Sequence, residues 1–276
     1  MFLPRRPWLY PATTSESAET PERHNAIENI DLNTVMAPRT ERIHASPLSE
    51  LERRALTLLV RWIPDRVTPD HLTAFGILGA VVTMAGYAAC WLSPAFVWLA
   101  SLGLAIHWFG DSLDGSLARH RRVERPRYGY FLDQNIDAVG NLMIGVGIGL
   151  SPWVDLRVAL FALTTYHMLS IYVFVRVHVS GEFHVTVAHS GPTEIRLAIV
   201  AMNTLIALFG APHFVLAGVA MTWCDLAVAF TGAAFLATFL WVVFDYAPVL
   251  RADDDRARRE RDAAGAAGSG DVNDER

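Results

Sequence analysis

Long apolar stretches alternate with short polar segments along most of the chain. Six stretches are about as long as a helix needs to be to cross a bilayer. They cover residues 72–93, 95–118, 130–151, 154–177, 193–210 and 225–247. A shorter apolar stretch, 212–221, predicts either a re-entrant piece or an early start of the last span. This pattern predicts an all-α integral membrane protein with about six transmembrane helices.

A different pattern precedes the first span. Leu51, Leu58 and Trp62 fall on one helical face, and the nearby arginines lie elsewhere. Ser49 and Glu52 form a capping-box pattern at the start of this stretch. Such a helix is suited to a membrane surface, so we predict an amphipathic interfacial helix over residues 47–66.

The two ends of the chain lack this apolar character. Residues 1–46 are polar and without hydrophobic period, which predicts an irregular cytoplasmic segment and no cleavable signal peptide. Residues 251–276 mix charges with alanine and glycine, which predicts a disordered tail. The transmembrane domain is therefore expected over residues 67–250.

Composition and charge add a direction to this picture. The chain is 52% hydrophobic with a mean hydropathy of +0.27, which is more apolar than a typical soluble domain. Arginines lie at 119–127, at 176 and from 251 onward, in segments that the predicted spans place on one side of the membrane. The segments on the other side carry only Arg157. The positive-inside rule then places both termini and the 119–127 loop in the cytoplasm, with the bacterial inner membrane as the expected location. The two cysteines, Cys90 and Cys224, lie in apolar sequence and are predicted to be buried and unpaired.

Regularly spaced aspartates interrupt this apolar pattern. Asp111 and Asp114 are three residues apart and share a helical face near the end of the second span. Asp133 and Asp137 share a face at the start of the third span. The short basic loop between these spans predicts a helical hairpin with all four carboxylates in one cavity.

Four bare carboxylates in one cavity would repel one another and lose hydration. Carboxylate oxygens suit Mg²⁺ or Mn²⁺, and two such ions would balance four negative charges. A pair of metal ions is a known device for phosphoryl chemistry. Gly115, Ala118 and Gly129 would leave room for a ligand, and Arg119 is placed to contact a phosphate.

The segment resembles the signature of the CDP-alcohol phosphotransferase family, D-x2-D-G-x2-A-R-x8-G-x3-D-x3-D. The matching positions are Asp111, Asp114, Gly115, Ala118, Arg119, Gly129, Asp133 and Asp137. One departure is a single extra residue between Arg119 and Gly129, where residues 120–128 form the loop. Loop length is cheap, so both helical faces stay intact. A sequence at 68–73, TPDHLT, resembles a T-P-N-x-L-T sequence of the same family, with Asp70 where asparagine is usual. Alternatively, Thr68 or Asp70 caps a helix there.

This resemblance implies an activity and a set of roles. A CDP-linked donor would bind, an acceptor alcohol or lipid hydroxyl would attack its phosphorus, and CMP would leave. Asp111, Asp114, Asp133 and Asp137 would hold two ions, Mg²⁺ or Mn²⁺. Asp137 would also be the general base, while Gly115, Ala118, Arg119 and Gly129 would frame the CDP. Besides the two substrates, membrane lipids are the expected partners; no nucleic acid is expected, and a homodimer stays open.

The identity of the two substrates is less constrained. The SGPTEIR sequence (190–196) resembles a glutamate motif of the branch that uses CDP-aminoalcohols, but that branch has histidine where this chain has Gln134. Helix capping at this sequence is the structural alternative. Family members that use an acceptor phosphate employ basic residues, for which Arg157, Arg176 and Arg196 are candidates. His107 and His167 lie within spans and are expected to be hydrogen-bonded packing residues.

Two other classes of protein remain as alternatives. An aspartate-rich intramembrane prenyltransferase would also place Mg²⁺ between helices, but without the D-G-x2-A-R continuation and the immediate hairpin. A cation transporter would need acidic groups across the bilayer, and the first, fourth and sixth spans offer few. The CDP-linked transferase is therefore the favoured interpretation, with CDP-diacylglycerol and a CDP-aminoalcohol both retained as donors.

Overall fold

The protein is described by a computed structural model that covers residues 47–180, 192–216 and 218–270. Helices dominate this part of the chain. They are α1 (Pro47–Leu59), α2 (Pro69–Ala89), α3 (Val97–Arg121), α4 (Pro126–Leu150), α5 (Leu156–Ser180), α6 (Pro192–Phe209) and α7 (Trp223–Gly270). Short 3-10 turns at Val60–Trp62 and Pro94–Phe96 follow α1 and precede α3. The predicted irregular segment 1–46 lies outside the described residues.

Five helices among the described residues are long and apolar enough to cross a membrane: α2, α3 with its preceding turn, α5, α6 and α7. The fold class is therefore confirmed as an all-α membrane protein. The remaining long helix, α4, has 25 residues, or about 38 Å at 1.5 Å per residue. It has the length of a span but carries Arg127, Asp133 and Asp137.

Helices α2 and α3 pack closely because glycines line their contact. A methyl group added at Gly79 would collide with the backbone of His107, and one added at Gly110 would collide with the backbone of Gly76. Small residues allow this close approach in membrane helices, where van der Waals packing drives association. The contact fixes the end of α3 that carries the first two aspartates.

The amphipathic helix is shorter than predicted and docks through a different use of Glu52. Helix α1 begins at Pro47, so Ser49 lies inside its first turn and not ahead of it. The Glu52 carboxylate accepts hydrogen bonds from Trp108 Nε1 at 2.8 Å on α3 and from Thr193 Oγ1 at 3.0 Å on α6. Trp62, in the turn that follows α1, is 84% exposed, as suits a side chain at a lipid surface.

The apolar stretch 212–221 is not an early start of the last span, because the last helix begins at Trp223. Residues Phe214–Leu216 (β1) pair with Val219–Met221 (β2) as an antiparallel hairpin. Gly218 lies in the turn at a φ of 83°, a conformation that glycine adopts without a steric penalty. Pro212, just ahead of the hairpin, has no N–H to offer a helix.

The charged tail also differs from its prediction. Helix α7 continues to Gly270, where the composition predicted disorder from Ala252 onward. Acidic and basic residues alternate here at helical spacing, and Asp253 pairs with Arg256 at 3.7 Å. Pairs of this kind support an exposed helix. In the core, Cys90 and Cys224 are both buried and free, which confirms the prediction for them.

Candidate active site

The hairpin of α3 and α4 brings together three of the four aspartates. One carboxylate oxygen from each of Asp111, Asp133 and Asp137 lies within 4.8 Å of the others, and all three residues are half-buried. Asp111 comes from α3 and the other two from α4. The predicted meeting of the two helical faces is thus present for these residues. Gln134 Nε2 donates to Asp133 Oδ2 at 3.0 Å. Gln134, which replaces the histidine of the branch that uses CDP-aminoalcohols, therefore contacts the cluster.

The fourth aspartate faces a different partner. Asp114 Oδ2 accepts a hydrogen bond from Thr73 Oγ1 on α2 at 2.6 Å. Asp114 nevertheless lines the same small cavity as Asp111 and Asp133. Thr73 ends the TPDHLT sequence but was not predicted as a site residue. Its role depends on the packing of α2 against α3, which helical spacing alone does not reveal.

A buried arginine from a distant part of the sequence completes the cluster. Arg196 on α6 is 8% exposed, and its Nη2 lies 2.8 Å from Asp111 Oδ2. The same nitrogen lies 3.4 Å from His107 Nε2, and His107 Nδ1 lies 3.0 Å from the carbonyl oxygen of Gly76. His107 is a hydrogen-bonded buried residue as expected, but it is also linked to the acidic cluster. A signal for this was its position four residues before Asp111, on the same helical face.

The residues predicted to frame a CDP group differ in how much space surrounds them. A side chain at Gly129 would meet nothing within 4 Å, and one at Gly115 would meet first the guanidinium of Arg119, at 3.2 Å. Arg119 is exposed, and its Nη2 donates to Ser116 Oγ at 3.3 Å. Ala118 is half-buried. These residues are not drawn into the acidic cluster, and they leave room for a ligand.

The donor set fits a divalent cation. Asp111, Asp133 and Asp137 offer oxygen ligands only, which is the chemistry that Mg²⁺ and Mn²⁺ prefer. Among the described ion pairs, Arg196 is the basic group paired with the cluster, and one positive charge does not balance four carboxylates. Partly buried carboxylates without enough compensation repel one another. A bound cation would remove this repulsion.

Comparison with known proteins decides the family. A family model described as CDP-alcohol phosphatidyltransferase matches residues 66–245, which include the whole acidic cluster and Arg196. The chain belongs to this family. Use of a divalent metal is typical of CDP-alcohol phosphatidyltransferases, in agreement with the oxygen-only cluster.

Two kinds of curated relative resemble this family member. Archaetidylinositol phosphate synthase of Methanothermobacter thermautotrophicus is 36% identical over 110 residues, 39% of this chain and 53% of the relative. Its Pyrococcus horikoshii counterpart is 31% identical over 138 residues, 49% of this chain and 70% of the relative. Human cholinephosphotransferase 1 is 27% identical over 206 residues, 63% of this chain and 50% of the relative. The chain thus spans about half the length of the first and the last of these.

The family-like TPDHLT sequence caps α2. Thr68 Oγ1 accepts from the backbone N–H of His71 at 3.3 Å, and His71 Nδ1 accepts from the N–H of Thr68 at 3.2 Å. Asp70 forms an ion pair with Arg125 of the loop between α3 and α4. The structural alternative therefore accounts for Thr68, whereas Asp70 ties the start of α2 to that loop.

The SGPTEIR sequence is split by the edge of the described chain. Pro192 begins α6 and Glu194 lies in its first turn, where an acidic residue suits the helix dipole. Ser190 and Gly191 lie outside the described residues. Among its described residues, Arg196 contacts the acidic cluster.

The remaining basic candidates have partners elsewhere. The Arg157 guanidinium pairs with Asp155 at 2.9 Å and lowers the pKa of that carboxyl to about 2. The Arg176 guanidinium stacks over the Tyr246 ring at 4.5 Å from its centre. His167 Nδ1 lies 3.0 Å from the carbonyl oxygen one helical turn before it, consistent with a packing role.

Proposed function

We propose that this chain is a membrane transferase of phospholipid synthesis that uses a CDP-linked donor. It moves a substituted phosphate group from the donor to the hydroxyl of an acceptor alcohol or lipid and releases CMP. One observation carries the proposal. Three carboxylates of the family signature, contributed by two consecutive helices, converge within 4.8 Å inside the matched region.

We propose that the metal is Mg²⁺ or Mn²⁺ and that two ions bind. Asp111, Asp133 and Asp137 would hold one by the oxygens that converge, and Asp114 lies at the same cavity to contribute to the second. When bound, such ions neutralise charge on the transferring phosphate and on the leaving nucleotide. This role suits phosphoryl transfer, in which most of the catalysis is positioning and charge stabilisation.

The side chains of this chain then divide the remaining work. Asp137 accepts the proton of the acceptor hydroxyl, whose oxygen forms the new bond to the donor phosphorus. The bond from that phosphorus to the CMP oxygen breaks, and CMP leaves with the electron pair. Gly115, Ala118, Arg119 and Gly129 frame the CDP group. The space at Gly129 is open, as a nucleotide pocket requires, and the exposed Arg119 guanidinium can pair with a phosphate.

Two classes of donor remain to be separated by experiment. The names of the curated relatives point in different directions, one to archaetidylinositol phosphate and the other to choline phosphate transfer. Gln134 leaves a histidine–glutamate base pair incomplete and favours Asp137 as the base. CDP-diacylglycerol and a CDP-aminoalcohol are therefore both tested as donors.

We also propose the bacterial inner membrane as the location, with both termini and the active site in the cytoplasm. The arginines at 119–127, close to the acidic cluster, support this orientation. Labelling of a cysteine placed at Val123 from the outer face of intact cells would contradict it. We propose a homodimer as the assembly, which crosslinking in membranes would test.

The experiment that tests the activity is CMP release by the purified protein. CDP-diacylglycerol and CDP-aminoalcohols are each supplied with a panel of acceptors: glycerol phosphate, inositol phosphate, free inositol and diacylglycerol. CMP release with at least one pair supports the proposal and identifies the donor class. Cytidine-independent prenyl transfer would favour the prenyltransferase, and metal flux without CMP release would favour the transporter.

A further inference from the structure

The acidic cluster contains a cation supplied by the protein. Arg196 is contributed by α6, which is far in sequence from the signature of α3 and α4. The side chains of Arg196 and Asp111 are 10% and 19% exposed, and they pair at 2.8 Å. Removal of one partner from such a buried pair is costly, because the other is left as an uncompensated buried charge.

His107 fixes the position of this arginine. Its Nδ1 faces a backbone carbonyl oxygen, that of Gly76, at 3.0 Å, and a carbonyl can only accept a hydrogen bond. Nδ1 therefore carries the proton in the neutral ring, and Nε2 is left as the acceptor that faces Arg196 at 3.4 Å. On the other side, an added methyl at Gly140 of α4 would come within 2.8 Å of the ring, so the imidazole is confined.

We propose that Arg196 is a built-in competitor and counter-charge of the metal cluster, and that His107 is the positioning residue that holds it there. Arg196 pairs with one oxygen of Asp111, Oδ2. Its charge offsets part of the repulsion among the carboxylates when no ion is bound. The same charge repels a divalent ion, so it weakens metal binding. The inference depends on the proposed function only in assuming that this cluster binds a divalent metal.

The test is Mn²⁺ binding to the purified protein, measured by electron paramagnetic resonance without donor or acceptor. Arg196→Met keeps the length of the side chain but removes the charge. We expect its Kd for Mn²⁺ to fall at least about fivefold, because a like charge leaves a partly buried site. Arg196→Lys keeps the charge and is expected to stay within about twofold of the parent. Unchanged or weaker Mn²⁺ binding by Arg196→Met would overturn the proposal.

Thermal unfolding separates this role from simple packing. With chelator, Arg196→Met should unfold at a lower temperature than the parent, because the carboxylates then lack their counter-charge. With saturating Mn²⁺ the difference should largely disappear. An equal loss in both conditions would show that Arg196 only packs. If Arg196→Met does not purify as a folded protein, Arg196→Gln replaces it in both measurements, with the same expected and contradicting results.

Two substitutions test His107. Gln can donate to Gly76 and accept from Arg196 as the imidazole does, so His107→Gln is expected to leave the Mn²⁺ Kd unchanged. His107→Leu fills the space but releases Arg196, and we expect a twofold to threefold lower Kd, smaller than for Arg196→Met. Equal values for the two variants would assign His107 to packing. None of these measurements needs turnover. If the parent protein releases CMP but Arg196→Met binds Mn²⁺ no more tightly than the parent, the proposed function stands and only the role of Arg196 is refuted.

Discussion

The two sides of the candidate site differ in how firmly the protein holds them. On the metal side, Asp111, Asp114 and Asp133 have hydrogen-bond or ionic partners on their own or neighbouring helices. On the side predicted to bind the donor, Gly129 faces open space and Gly115 faces only the flexible end of Arg119. This difference indicates that the fold positions the charged groups before any substrate binds, whereas the proposed nucleotide space depends on small residues.

Helix packing explains why the aspartates of the acidic cluster are held in place. The glycine contacts of α2 with α3 bring Thr73 and Gly76 to the first aspartates. The basic end of α3 is tied down as well, because the Arg121 guanidinium donates to the carbonyl oxygens of Ile63 at 3.1 Å and Pro64 at 2.9 Å. These bonds hold the segment between α1 and α2 against the end of α3. The acidic cluster thus depends on elements outside the signature itself.

The largest effects should follow from changes on the metal side. Asp111→Asn and Asp137→Asn are both expected to lower CMP release at least about a thousandfold, because one disturbs the metal cluster and the other removes the base. Asp137→Asn should still bind the CDP-linked donor in Mg²⁺. Asp111→Asn should lose much of that binding, since it also leaves Arg196 buried without its carboxylate.

Nucleotide binding and CMP release by each purified variant are the measurements. Asp65→Asn serves as the control, since the Asp65 side chain is fully exposed. Near-normal turnover by Asp137→Asn would rule it out as the base. Equal donor affinity in both active-site variants would contradict the assigned division between metal binding and proton transfer.

Two glycines on the same helix offer a direct contrast between the sides. Gly110→Leu should prevent stable folding, because its side chain would overlap the backbone of α2. Gly115→Leu should fold, because its side chain first meets the flexible end of Arg119. We expect it to raise the KM for the donor at least about tenfold by filling the nucleotide space. The measurements are the monodispersity of each variant purified in detergent and the KM for the donor. A Gly115→Leu enzyme with the parental KM would show that the donor binds elsewhere.

A smaller effect is expected where the two sides meet, at Thr73. Thr73→Val removes the hydroxyl that donates to Asp114 and keeps the shape of the side chain. Loss of a hydrogen bond to a charged group is worth about 1.5–3 kcal/mol, so CMP release should fall by about tenfold to a hundredfold. Thr73→Ser retains the hydroxyl and is the matched control. Equal activity of the two variants would mean that Asp114 needs no support from α2.

Local spacing was enough to predict the parts of the site that lie on one helix. Asp133 and Asp137 are one turn apart, and Asp111 meets them because the loop is too short for anything but a hairpin. Thr73 and His107 were not assigned to the site, and Arg196 was a candidate only for an acceptor phosphate, because the three come together only through packing of α2, α3 and α6. Helical period says which face a residue occupies, but not which helix that face meets.

For the fold, the sequence predicted the membrane helices but not the β-hairpin or the helical tail. Apolar length indicated the membrane helices, because a bilayer demands long runs of internally hydrogen-bonded residues. The hairpin at 214–221 has the same apolar composition as a span and differs through a proline and a glycine, so composition alone did not reveal it. The helical continuation of α7 beyond Ala252 reflects charge pairs at helical spacing, which a count of charged residues does not distinguish from a disordered tail.

We propose that a divalent metal held by the acidic cluster supports CMP release. The direct test is CMP release by the purified protein after exhaustive chelation, followed by addition of Mg²⁺ or Mn²⁺. We predict that chelation abolishes CMP release and that either ion restores it, since four carboxylates suit these ions and cannot act together without them. Undiminished CMP release after exhaustive chelation would contradict the metal-dependent account.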